Sequence, residues 1–235
     1  MASLAAGVDQ PDLSVSILSA DVMHMGNSLA RLERLGVKYA HLDLMDGKFC
    51  PEITVGPWFV GSLDTTLTKD VHLLVADPTR WVAPCIDAGA GILTVHAETG
   101  AFGIRALEMT SDLSGAAGES TLRGVGIRPG TPVDALLPFV DLADVVYILG
   151  VEPGARKVLV EGSTDRVGVV RQLFARYGSS PLLAFDGGVT LENYSRIRDV
   201  GPDIVVSGSA LFAGGGLEAN LGRLGYSMPE TQGVV

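Results

Sequence analysis

Four side chains in this 235-residue chain have the types and spacing to do chemistry together: His41, Asp43, His72 and Asp186. In His41-Leu-Asp43 the histidine and aspartate stand at i and i+2. On an extended strand that spacing puts both on one face, while Leu42 and Leu44 point the other way. His72 lies in Asp70-Val-His-Leu-Leu74 and Asp186 in Phe185-Asp-Gly-Gly188, each late in a short apolar run. Two imidazoles and two carboxylates around one point suit a single divalent ion with open coordination positions, of zinc, iron, manganese or cobalt. A lone His or Asp at a strand end commonly does no more than satisfy a backbone donor. Four converging from three strands point to a shared ligand set. Of the other histidines, His96 falls late in a further strand, and His24 falls in a helix-like segment and reads as a surface residue.

Placing these groups together requires parallel strands. Short runs rich in Val, Ile and Leu recur at Leu13–Leu18, Lys38–Leu44, Lys69–Val75, Gly91–His96, Arg123–Arg128, Asp144–Leu149, Leu182–Phe185 and Asp203–Ser207. Between them apolar residues return at helical spacing, as in Leu29, Leu32 and Leu35, or Trp81, Val82, Cys85 and Ile86. Gly36, Gly89, Gly178 and Gly201 stand where helices should stop, and Pro57, Pro78 and Pro132 where they should begin. Nearly continuous apolar strands alternating with helices make a parallel sheet covered on both faces. Eight such units close into an α/β fold, a single (β/α)8 TIM barrel, read here as one domain over 1–235 with its core at about 13–222. The alternative is an open doubly wound sheet, whose glycine-rich phosphate turn belongs after the first strand. Leu18-Ser-Ala-Asp21 contains no glycine there. Trp58 and Phe59 are expected in the core, and the tail from Gly225 to Val235 reads as a cap or a frayed end.

In a barrel the chemistry sits at the C-terminal ends of the strands, which is where His41, Asp43, His72 and Asp186 fall. Gly187 and Gly188 after strand 7, and Gly208-Ser209 after strand 8, mark a second site. Loops in those two places recurrently hold phosphate through free backbone N–H groups, with no lysine required.

Composition removes other classes. A net charge of −10 carries no nucleic-acid footprint and attracts no anion from afar, so phosphate recognition must be local. Cys50 and Cys85 form neither a disulfide framework nor a zinc or redox spacing. The N-terminal residues lack a basic segment followed by an apolar one, and no apolar run approaches the ~18 residues of a membrane span. The expectation is a cytoplasmic protein with no nucleic-acid or membrane partner.

With these residues placed, the sequence resembles the ribulose-phosphate 3-epimerase family from Ser14 to about Phe212. The resemblance rests on Val15-Ser-Ile-Leu-Ser-Ala-Asp21, His41-Leu-Asp-Leu-Met-Asp-Gly-Lys-Phe49, Asp70-Val-His-Leu73, Arg128-Pro-Gly-Thr-Pro132, Val151-Glu-Pro-Gly154, Asp186-Gly-Gly188 and Ser207-Gly-Ser-Ala-Leu-Phe212, in the family's order. It implies a ribulose-phosphate-binding barrel and a metal-dependent 3-epimerase of a phosphorylated ketose, with D-ribulose 5-phosphate as the first substrate to test. It also implies that His41, Asp43, His72 and Asp186 hold the metal, that Asp43 and Asp186 are the proton-transfer pair, that Ser16 touches substrate, that Met45 belongs to a cap over it, and that the chain assembles into a homo-oligomer.

The match departs from the family's pattern around the substrate. Leu74 and Leu149 stand where the family commonly has methionines, and the segment Pro153-Gly-Ala-Arg-Lys-Val158 replaces a glycine-rich lid. Arg156 or Lys157 either replaces it with a charged contact to phosphate or belongs to a solvated loop. These changes keep a four- or six-carbon ketose phosphate such as allulose 6-phosphate, or a noncatalytic sugar-phosphate binder, as alternatives. Barrels that decarboxylate orotidine phosphate or condense hexulose phosphates place a lysine within Asp-x-Lys-x-x-Asp, whereas this chain has Asp43-Leu-Met-Asp46. Triosephosphate-isomerase-like chemistry, for which Glu152 could serve, wants a lysine ending strand 1, and the first lysine here is Lys38.

Overall fold

A computed structural model describes residues 10–117, 120–154 and 158–226. Eight parallel strands close into a barrel in chain order: β1 (Asp12–Ser16), β2 (Tyr39–Met45), β3 (Thr68–Leu74), β4 (Ala90–His96), β5 (Leu122–Ile127), β6 (Val145–Leu149), β7 (Leu182–Asp186) and β8 (Ile204–Ser207). Closure, with β1 paired to β8, excludes the open sheet and leaves no unpaired edge. The helices are α1 (Met25–Arg34), α2 (Pro57–Ser62), α3 (Val82–Asp87), α4 (Ala101–Ala117), α5 (Arg166–Arg176), α6 (Tyr194–Asp199), α7 (Ser209–Phe212) and α8 (Leu217–Arg223). Among the described residues, no helix is long and apolar enough to cross a membrane.

Two apolar layers explain the apolar strand sequences. Outward-facing Leu42, Val71, Leu73, Leu93 and Val95 pack with helix residues such as Leu29, Leu32, Val82, Cys85, Leu107 and Phe174. Inward-facing Ile92, Val145, Tyr147, Leu149, Ala184, Ile204 and Val206 fill the barrel itself. Each strand therefore buries both faces, and its polar inward positions are confined to a few places. Helices α1, α3, α5 and α6 end on Gly36, Gly89, Gly178 and Gly201, all with φ between 73° and 86°, the left-handed conformation that closes a helix without a Cβ clash.

Two expectations need correction, the end of the first strand and the burial of Trp58. β1 stops at Ser16, and Ile17–Ser19 turns as a short 3-10 segment instead of extending the strand to Leu18. Between β5 and β6 the crossover is 3-10 helix over Val133–Phe139, with Pro138 inside it. Phe59 packs against the core, but Trp58 is 77% exposed. They are neighbours on the short helix α2, so they cannot share its buried face. Cys50 and Cys85 are buried free thiols, and burial pushes Cys85 up to about 12. Arg156 and Lys157, and the tail beyond Tyr226, lie outside the described residues.

Pairing is regular except between β3 and β4. There Lys69 lies beside Ala90 but Asp70 beside Ile92, so Gly91 is skipped. A Cβ on Gly91 would come within 2.5 Å of the Thr68 side chain, so the skip is made where no side chain is tolerated.

Candidate metal centre and active site

Register brings the four chemical side chains together. β2 and β3 pair His41 with Asp70 and Asp43 with His72, and β7 delivers Asp186 from across the barrel. His41 Nε2 lies 3.2 Å from Asp43 Oδ1 and 3.8 Å from Asp186 Oδ2. His72 Nδ1 lies 3.3 Å from each of the same two oxygens. All four ligand atoms fall within 4.8 Å of one another. Two atoms bound about 2.1 Å from one ion are about 3.0 Å apart at a right angle and about 3.4 Å apart at the tetrahedral angle, so the set has the dimensions of a single coordination sphere. Both imidazoles are fully buried, whereas Asp43 and Asp186 keep partly exposed edges. His41 therefore sits beneath the barrel mouth and the carboxylates open onto it.

An orphaned atom tests whether this set fits an ion. His72 Nδ1 is buried and has no hydrogen-bond partner, although carboxylate oxygens stand close on two sides. A buried nitrogen left this way costs about 1–3 kcal/mol unless something else occupies its lone pair. A cation at the centre of the four groups would do so. Without one, the cluster holds protons instead. Burial opposes a charge on His41, but Asp70 and Asp43 outweigh it and hold its pKa well above the ordinary value. Burial likewise opposes a charge on His72, and the carboxylates of Asp186 and Asp43 raise it to about 9. For Asp43, burial is overcome by His41 and His72, which hold the carboxyl far below its usual range. The site is thus built for positive charge.

Two sets of residues fix the imidazoles from behind. His41 Nδ1 lies 2.8 Å from Asp70 Oδ2, and this fully buried carboxylate also accepts from Ser14 Oγ at 2.6 Å and from the Tyr147 hydroxyl at 2.7 Å. Because a carboxylate only accepts, His41 Nδ1 carries the hydrogen and Nε2 is turned toward Asp43. His72 Nε2 meets His96 Nε2 at 2.8 Å, with the two rings within 11° of parallel. His96 Nδ1 in turn lies 2.9 Å from Glu98 Oε2. Burial, opposed by Glu98, lowers His96 to about 4; burial would raise Glu98, but His96 and donors from Arg128 and Thr131 bring it to about 2. Phe49 covers His96, and the Arg128 guanidinium lies 4.0 Å from the Phe49 ring centroid.

Asp70, Tyr147, Ser14 and Glu98 were not singled out by sequence reasoning, and His96 received no role. One signal was available. Asp70 and His72, and His96 and Glu98, repeat the i, i+2 spacing of His41 and Asp43.

Above the cluster opens a cavity of about 320 Å³. It is lined by the remaining expected residues, Ser16, Met45, Gly187, Gly188, Gly208 and Ser209, together with Asp43, His72 and Asp186. Leu74 and Leu149 line it too, beside Met45. Gly187 and Gly188 have φ of 91° and 72°, and a Cβ on them would stand 2.6 and 2.9 Å from the Val151 side chain. The loop after β2 is pinned over one side. Thr54 Oγ bonds the Asp43 carbonyl, and Asp46 accepts N–H bonds from Lys48, Phe49 and Ala76, each at 2.9 Å.

Fold and site together define a (β/α)8-barrel protein with a buried cluster able to hold a metal ion at the C-terminal ends of its strands. The model of the ribulose-phosphate 3 epimerase family matches residues 12–212. The chain is 37% identical over 206 residues to the putative epimerase LsrE of Salmonella typhimurium, covering 85% of this chain and 80% of that one. It is 32% identical over 223 residues to the ribulose-phosphate 3-epimerase of Synechocystis, covering 92% and 94%. The crystal structure of KGPDC from Streptococcus mutans superposes with a TM-score of 0.65 at 12% identity, over 92% of this chain and 98% of that one, a likeness of fold alone. The chain belongs to the ribulose-phosphate 3-epimerase family. It is an isomerase-class enzyme, an epimerase.

Proposed function

We propose that the protein is a metal-dependent 3-epimerase of a phosphorylated ketose, with D-ribulose 5-phosphate and D-xylulose 5-phosphate as its substrate pair. The observation that carries the reading is the placement of Asp43 and Asp186. They come from β2 and β7, face the same cavity, and flank the unpartnered His72 Nδ1. Inverting one carbon needs a base on one face and an acid on the other. Asp43 removes the proton from the carbon beside the ketone, and Asp186, carrying a proton, delivers it to the opposite face; the reverse reaction exchanges the roles. His41, Asp43, His72 and Asp186 would hold a divalent ion, which when bound would supply positive charge beside the ketone oxygen. Met45, Leu74 and Leu149 keep water from the carbanionic centre.

Ser16 contacts the sugar from the β1 side. The phosphate rests against backbone N–H groups of Gly187, Gly188, Gly208 and Ser209, in loops after β7 and β8 whose glycines let Val151, Ser16 and Ser19 pack close behind. Leucines in place of methionines change the cavity wall, and this favours testing four- and six-carbon ketose phosphates alongside the pentulose.

The test is proton NMR of the metal-loaded protein in D2O with each ketose phosphate, following loss of the C3 proton and appearance of the epimer. Asp43→Asn and Asp186→Asn each lower the rate by about 10²- to 10⁴-fold. Turnover of only the four- or six-carbon substrate would move the assignment to that compound. Phosphosugar binding with no exchange for any of them would refute the two-aspartate mechanism and leave a sugar-phosphate binder.

A further inference from the structure

We propose that Glu98 is a positioning residue that fixes, through His96, the tautomer in which His72 offers Nδ1 to a cation. The inference rests on the four-residue metal site proposed above and extends it two side chains away from the cavity.

The argument follows one hydrogen at a time. A neutral imidazole has one donor nitrogen and one acceptor. For His72 to bind an ion through Nδ1, its hydrogen must sit on Nε2. That nitrogen faces His96 Nε2 at 2.8 Å, so His96 must accept there and carry its own hydrogen on Nδ1. His96 Nδ1 faces Glu98 Oε2 at 2.9 Å, and a carboxylate can only accept. Glu98 thus polarises the whole row in one direction: His72 donates to His96, and His96 donates to Glu98.

Glu98 is held for this task. Its other oxygen accepts from the Arg128 backbone N–H at 2.8 Å and from the Thr131 hydroxyl, both in the loop after β5. The rings meet in this geometry because β5 carries Gly126 beside His96. A Cβ there would lie 3.1 Å from His96 Nε2 and 3.6 Å from His72 Nε2. Asp70 acts on His41 directly, so the two imidazoles are oriented by different carboxylates, one adjacent and one through an intervening histidine.

Glu98→Gln is the informative change because the shape is kept while the direction can reverse. The glutamine amide can donate to His96 Nδ1, which would turn His96 Nε2 into a donor and put the hydrogen of His72 on Nδ1, against the ion. The experiment is calorimetric titration of wild type, Glu98→Gln and His72→Ala with Zn²⁺, together with ¹⁵N NMR of histidine-labelled, Zn²⁺-loaded wild-type protein. The expected result is a 10- to 100-fold loss of affinity in Glu98→Gln, a larger loss in His72→Ala, and wild-type spectra with hydrogens on His72 Nε2 and His96 Nδ1. Wild-type spectra with hydrogen on His96 Nε2 would overturn the proposal even if Glu98→Gln failed to fold. Tight binding that His72→Ala abolishes and Glu98→Gln leaves unchanged would overturn the Glu98 role alone. Wild-type protein that binds no Zn²⁺, or binding that His72→Ala leaves intact, would overturn the metal site and this inference with it.

Discussion

Replacing Asp70 by asparagine should weaken metal binding while leaving the barrel folded, and the structure sets the size of both effects. The carboxylate takes two donors on Oδ2, from Ser14 and His41, and one on Oδ1, from Tyr147. An asparagine with its oxygen at the Oδ2 position keeps the first two. Its amide then faces the Tyr147 hydroxyl, whose oxygen can accept once the O–H turns to another acceptor, for which the buried, unpartnered Thr94 hydroxyl is the neighbour at hand. Three charge-assisted bonds become neutral ones at about 1 kcal/mol each, a folding cost of about 3 kcal/mol. Alanine instead strands three buried donors at about 1–3 kcal/mol apiece, comparable with the ~5–15 kcal/mol that holds a domain together. Loss of the charge behind His41 weakens its Nε2 as a ligand, for which a 10- to 100-fold drop in affinity is expected, about 1.4–2.7 kcal/mol. The assay is Zn²⁺ titration of the ion-free protein at alkaline pH, where protons compete least for His41, with a thermal melt alongside. Affinity within twofold of wild type in a folded Asp70→Asn protein would refute the orienting role of Asp70.

Two further outcomes follow from the same geometry. Removing divalent ions with a chelator should abolish C3 proton exchange and lower the melting temperature. Restoring an ion at about 100 times its dissociation constant should return about 2.7 kcal/mol of stability, and a melting temperature indifferent to ions would argue against the cluster as a metal site. Asp46, whose carboxyl three backbone N–H donors hold below its ordinary value against the opposing effect of burial, should stabilise the fold fully above about pH 4. That contribution is lost as pH falls through the depressed folded value, so Asp46→Asn should cost about 1 kcal/mol at neutral pH and flatten the acid limb of the stability curve.

The strands were legible because a barrel strand is buried on both faces, and a run such as Val145–Leu149 can hardly be anything else. His41 and Asp43 were legible as a pair because i, i+2 on a strand is a local rule, and Asp186 because Gly187 and Gly188 announce the turn that follows it. The supporting residues depend on register, which no local rule supplies. Asp70 reaches His41 because β2 and β3 place them side by side, and Tyr147 reaches Asp70 from β6 across the barrel interior. The exposure of Trp58 was likewise hidden, since a six-residue helix has too few turns to show which face is apolar. The 3-10 crossover before β6 was hidden too, since a proline such as Pro138 does not distinguish a kinked helix from a tighter one.

The skipped residue at Gly91 decides which side chains of β4 face the barrel interior. In a strand of period two, one residue gained or lost reverses inside and outside for everything beyond it. Here Lys69 pairs with Ala90 and Asp70 with Ile92, so the surplus residue is absorbed at the base of β4. Ile92, Thr94 and His96 are thereby brought into phase with Asp70 and His72. The bulge confines the mismatch to the foot of the strand, so the end that faces the cavity keeps the alignment that sets His96 against His72.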